Sequence, residues 1–101
     1  MPAVQNFKVT VGGATAETDT GLTLGSLLSS KSVLHACLDG TTGSIVVKHV
    51  FEDGTEKDIQ TVALADGVLG LIQLNYKVPN AKIYYVTAGA GTLRLDTTFS
   101  K

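Results

Sequence analysis

The stretch that decides the fold is Pro79-Asn80-Ala81-Lys82-Ile83-Tyr84-Tyr85-Val86-Thr87-Ala88-Gly89-Ala90-Gly91-Thr92-Leu93-Arg94-Leu95-Asp96-Thr97-Thr98-Phe99. Ile83, Tyr85 and Thr87 alternate with Lys82, Tyr84 and Val86, the two-residue period of a half-buried strand. Leu93 and Leu95, with Phe99, alternate in the same way against Arg94, Asp96 and Thr98. Between the two runs, Ala88-Gly89-Ala90-Gly91 is small and flexible enough for a tight turn. The stretch therefore reads as a closing β-hairpin with Leu93 and Leu95 facing a core.

Working outward, the same period recurs along the chain. In residues 4–11, Phe7, Val9 and Val11 face one way and Lys8 and Thr10 the other, and Gly12-Gly13 ends the run. Residues 14–20 are polar and tolerate extended backbone, as an exposed or edge strand does. Val33–Leu38 is a short strand closed by Asp39-Gly40. Ile45–Phe51 is the best central strand, with Ile45, Val47, His49 and Phe51 on one face and Val46, Lys48 and Val50 on the other. Glu52-Asp53-Gly54-Thr55 is a strong turn signal, because Asp-Gly supplies the positive φ of tight hairpins. Asp58–Leu64 follows as its partner, Ala65-Asp66-Gly67 turns again, and Leu69–Val78 is a further strand that Pro79 breaks.

About seven or eight short strands at this spacing define an all-β, two-sheet antiparallel sandwich, jelly-roll-like in character. The competing reading is a β-grasp fold with one short helix near 22–30, where Leu24, Leu27 and Leu28 have helical spacing. The 101 residues are expected to form a single domain, with residues 1–6 available as an extended arm.

Composition narrows the functional classes. With 44% hydrophobic and 17% charged residues the chain falls among globular proteins rather than disordered ones. A formal net charge of −1 and scattered basic residues give no footprint for nucleic acid or an anionic membrane. No apolar run approaches the length of a membrane-spanning helix. The single cysteine, Cys37, allows no internal disulfide, and Met1–Phe7 lacks the basic-then-apolar pattern of a signal peptide.

Catalytic constellations are thin. His35 and Cys37 share a strand face at i, i+2, but no oxyanion element stands beside them, and a half-buried thiol with a hydrogen-bonded histidine is the competing reading. Asp53, Glu56 and Asp58 offer carboxylates without the spacing of a calcium loop. Gly89-Ala90-Gly91 is not followed by a helix, as a phosphate loop is. The expectation is no enzyme, no catalytic residue, no cofactor and no metal. The candidate interface residues are Tyr76, Tyr84, Tyr85, Pro2 and Val4. Tyrosine gives large contact area with a polar tip, and Tyr84 and Tyr85, being adjacent on a strand, must face opposite ways.

Residues 43–99 have a distinctive order. Gly-Ser-Ile-Val-Val-Lys-His-Val (43–50) leads into Phe-Glu-Asp-Gly-Thr-Glu-Lys-Asp (51–58) and Ile-Gln-Thr-Val-Ala-Leu (59–64). Then come Lys82-Ile83-Tyr84-Tyr85 and Gly91-Thr92-Leu93. The pattern resembles small β-sandwich virion proteins of tailed bacteriophages, in which an Asp-Gly-Thr hairpin precedes a Lys-Ile-aromatic strand and a final Gly-Thr-Leu strand. The resemblance implies a structural virion protein, made in the host cytoplasm. Such a protein would be a capsid decoration or stabilisation protein or a head or tail accessory, bound to a major capsid or tail protein and forming a homo-oligomer. The mechanism would be avidity, each contact raising the effective concentration for its neighbours. The alternative is a carbohydrate- or receptor-binding β-sandwich module.

Overall fold

A computed structural model of the protein describes residues 3–23, 32–74 and 81–99. They form eight strands: β1 (Ala3–Val11), β2 (Thr15–Thr23), β3 (Ser32–Asp39), β4 (Gly43–Val50), β5 (Glu56–Leu64), β6 (Gly70–Leu74), β7 (Ala81–Thr87) and β8 (Gly91–Phe99). Sheet A has the order β1-β8-β3-β6 and sheet B the order β2-β7-β4-β5. All neighbouring strands run antiparallel. The pairs nest: β4 with β5, β3 with β6, β2 with β7, β1 with β8. This is one chain-long hairpin, tipped at residues 51–55 and rolled into two layers, which is the jelly-roll arrangement. The β-grasp alternative is overturned, because the described strands form two facing antiparallel sheets. Leu22 and Thr23 continue β2, and residues 24–30 of the expected helix lie outside the described residues.

Alternation builds the core. Leu34, Ala36 and Leu38 of β3 and Leu93 and Leu95 of β8 face Ile45 and Val47 of β4 and Ile83 and Tyr85 of β7. Phe7 and Val9 of β1 pack against this cluster from the edge, the faces their spacing required. Phe7 meets Tyr85 with ring centroids 5.9 Å apart. Polar groups that enter the core are satisfied: the Thr20 hydroxyl donates to the Ile83 carbonyl at 2.7 Å.

Two expectations are corrected. The closing hairpin is not a hairpin: β7 lies in sheet B and β8 in sheet A, so Ala88–Ala90 arches between layers. The Ala88 N–H donates to the Thr42 carbonyl at 2.8 Å, tying this arch to the neighbouring one at residues 40–42. The glycines serve that close approach. A Cβ on Gly91 would run into the Asp39 carbonyl, and one on Gly43 into that of Val86. Local alternation is the same for a hairpin and an arch. What separates them is the long-range register of β7 on β2 and β4, and of β8 on β1 and β3. The arm is also corrected from Ala3 onward. Ala3–Asn6 pair with Phe99–Asp96 as the start of β1, so their backbone is committed to the sheet.

Leu95 is fully buried between the layers. Leu95→Ala is expected to lower stability by about 2–5 kcal/mol in urea unfolding, through lost apolar transfer and the cavity left behind. A parental midpoint would place Leu95 outside the core.

Candidate functional site

The outer face of sheet B carries the densest side-chain chemistry among the described residues, and Tyr84 stands within it. The adjacent tyrosines point opposite ways. Tyr85 is 6% exposed and belongs to the core, which removes it from the interface candidates. Tyr84 faces outward, opposite Asp19 of β2 and Val46 of β4. Val46 is 5% exposed although it is no part of the core cluster. It is covered on the outer face, where Tyr84 and Thr61 flank it in register.

Around this pair, charges interlock across all four strands. Lys48 Nζ lies 2.7 Å from Glu17 Oε1 on β2 and 3.0 Å from Asp58 Oδ1 on β5. To reach Glu17 it crosses β7, and its ammonium sits 5.4 Å from the centre of the Tyr84 ring. The Tyr84 hydroxyl donates to Glu56 Oε1 at 2.6 Å. Lys82 stands 3.9 Å from both Asp19 and Glu56. The hydrogen bonds that Lys48 donates to Glu17 and Asp58 hold its ammonium protonated well above the usual lysine range. The bond to Glu56, with burial second, pushes the Tyr84 phenol up to about 12. The site therefore holds Lys48 and Tyr84 in their protonated forms at neutral pH. It offers a stitched polar surface: four carboxylates against two lysines, with one aromatic ring at its centre.

Apart from Glu56 and Asp58, the other residues singled out by sequence that the structure describes stand away from this network. Val4 stands in β1 opposite Thr98, and Pro2 and Tyr76 lie outside the described residues. His35 and Cys37 share the outer face of sheet A, as their spacing implied. The Cys37 thiol approaches Asp39 Oδ1 at 3.9 Å, while Arg94 binds Asp39 Oδ2 at 2.6 Å. His49 lies edge-on to Phe51, with centroids 4.7 Å apart. The three acidic residues near the hairpin do not converge. Asp53 Oδ1 accepts from the Thr55 N–H at 2.9 Å, which lowers its pKa, while Glu56 and Asp58 are engaged by Tyr84 and Lys48. Among the described residues no group of three or more His, Cys, Asp or Glu is placed to hold a metal ion. An open depression of about 330 Å³ on sheet A is lined by Asn6, Phe7, Lys8, Arg94 and Asp96, with no tyrosine among them.

Sequence reasoning missed two features. Lys48 and its carboxylate partners were legible only as members of separate strands. Of the exposed apolar group Val68, Leu69 and Leu71, the strand expected at Leu69–Val78 takes in only the two leucines, and the alternation assigned to it leaves their outward side chains out. Its signal was present: residues 68–72 are apolar or glycine at both parities, so one parity must face water.

No family model and no curated protein matches the chain. Three solved structures share its fold over nearly its full length. A protein of Bacillus endospore appendages, described as disulfide-linked pili, is similar at TM-score 0.57 and 10% identity, over 98% of this chain and 88% of that one. The Yersinia pseudotuberculosis-derived mitogen aligns at TM-score 0.55 and 11% identity, over 100% and 89%. The SPBc2 prophage-derived protein YomS aligns at TM-score 0.51 and 11% identity, over 98% and 94%. At such identities the likeness is one of fold.

Raised pKa values fix the sign of the pH dependence. Lys48 and Tyr84 contribute stability fully below their ordinary values, near 10.5 and 10.0, and lose it as pH rises toward their folded-state values. The melting temperature should therefore fall on titration above pH 10, and Tyr84→Phe and Lys48→Met should each make that fall shallower. An alkaline slope unchanged in both variants would show that the network contributes nothing to folding.

Proposed function

We propose that this chain is a structural virion protein of the capsid decoration or head or tail accessory type, acting by multivalent protein–protein binding. The observation that carries this reading is the surface itself. The prominent charged groups of sheet B are paired with one another, whereas among the described residues five large apolar side chains stay exposed: Phe51, Ile59, Val68, Leu69 and Leu71. Such a surface favours contact with other folded chains over capture of a small charged ligand. The fold likeness to a protein of pili and to a prophage-derived protein supports the same class, as does the virion-like pattern of residues 43–99. Tyr84, with Pro2, Val4 and Tyr76, completes the set of proposed contact residues. Their partners would be other virion proteins and further copies of this chain.

The alternative, a carbohydrate- or receptor-binding module, would use Tyr84 as a platform. Its ring is already covered on one side by Lys48, which favours the assembly reading. Quantitative mass spectrometry of density-purified particles from the source should find this protein in many copies per particle. Its confinement to the soluble fraction, with glycan-array binding that is lost in Tyr84→Ala, would transfer the assignment to the carbohydrate reading.

A further inference from the structure

Among the described residues the sandwich has four edge strands, and three of them are guarded against pairing with another chain. β1 presents Lys8 on its exposed face. β2 is broken by two register shifts and carries Glu17 and Asp19. β5 contains a register shift opposite Val47 and Lys48 and carries Glu56, Lys57 and Asp58. Charges and bulges of this kind are what natural sheets use to prevent edge-to-edge association. The fourth edge, β6, has neither. From Gly67 through Leu74 there is no charged residue, the pairing with β3 is regular, and Val68, Leu69 and Leu71 are 56%, 57% and 59% exposed.

We propose that β6 pairs antiparallel with β6 of a second copy about a two-fold axis at Gly70, joining the two A sheets into one eight-stranded sheet. The sequence supplies the self-complementarity. Val68-Leu69-Gly70-Leu71-Ile72 reads nearly the same in both directions, as an isologous interface requires. About Gly70, Leu69 falls opposite Leu71 of the other copy, and Val68 opposite Ile72. Leu69 and Leu71 share the outer face, so four leucines meet there. With the strand extended back through Val68, whose N–H donates to the Ala65 carbonyl at 3.3 Å, that side chain falls on the face of Ile72, so each Val68 covers the core edge beside the other copy's buried Ile72. Gly70 faces inward against the Leu64 methyl and places no side chain on the axis. No like charges are opposed, since Gln73 falls opposite Gly67 and Leu74 opposite Asp66. A differently charged partner strand would find no countercharge on this edge, whereas a second copy matches it residue for residue. The pairing extends β6 by Val68 and Leu69, which follow the positive-φ turn at Gly67.

This inference supplies a contact for the assembly role but stands apart from it, since the dimer would form whatever the protein's wider partners. Sedimentation equilibrium of the purified full chain should give a dimer. Leu71→Arg and Leu69→Asp should each halve that mass while the chain still melts as a cooperative fold, because both side chains are exposed in the single copy; the concentration dependence of the parent's melting temperature should vanish in both. In a Cys37→Ser background, the Leu69→Cys/Leu71→Cys double variant should cross-link into a covalent dimer on oxidation. A monomeric parent protein overturns the pairing. So does a dimer that survives both charge variants, or one that fails to cross-link. Any of these results leaves the virion assignment to be decided by the particle measurement.

Discussion

The pairing of β4 with β5 across residues 51–55 is the interaction on which the rest of the structure depends. Among the described residues it is the one ladder closed by a short turn. The Phe51 N–H donates to the Thr55 carbonyl at 2.8 Å, the Gly54 N–H donates to the Phe51 carbonyl at 3.0 Å, and Gly54 takes the positive φ of 89°. Asp53 caps the turn through its carboxylate. Every other ladder in the nest joins strands farther apart in sequence, ending with β1 on β8 at opposite ends of the described chain. Each such closure costs loop entropy before its contacts form. The topology is therefore of the slow-folding, non-local kind, with its cheapest step at this turn.

Closing the roll brings the second constraint, which is close approach at the arches. Among the described residues the chain crosses between layers at residues 12–14, 40–42, 65–69 and 88–90. Gly43 and Gly91 sit where another strand's carbonyl leaves no room for a side chain. Asp66 ties two crossings together by accepting from the Gly40 N–H at 2.7 Å. The Gly67 N–H donates to the Leu38 carbonyl at 2.7 Å. With this end held by backbone and small residues, the side-chain chemistry is left to the faces and edges of the sheets. Sheet B spends its outer face on the Lys48–Tyr84 network, which links all four of its strands. Sheet A ends on an uncharged strand.

Alternation and turn residues made most of the strands legible. Leu93 and Leu95, Ile45 and Val47, and Ile83 and Tyr85 face the core as their spacing required, and Asp53-Gly54 turns a hairpin as that pair should. Partner choice was not legible. Ala88-Gly89-Ala90-Gly91 suits a hairpin and an arch equally, because the difference lies in strands distant in sequence. The site was legible in part for the same reason. The opposition of Tyr84 and Tyr85 follows from the period of two, and the structure settles which of them is core. The meeting of Lys48 with Glu17 and Asp58 depends on the order β2-β7-β4-β5, which no local pattern encodes.

The nested register is the central physical claim, because the core, the charged face and the bare edge all follow from it. Cross-strand backbone NOEs in solution test it most directly. The structure requires them between Phe7 and Leu95 and between Val47 and Ile83, with no ladder joining β7 to β8. A ladder running from Thr87–Gly91 through Tyr85–Leu93 to Ile83–Leu95 would make the last two strands a hairpin and contradict the fold described here.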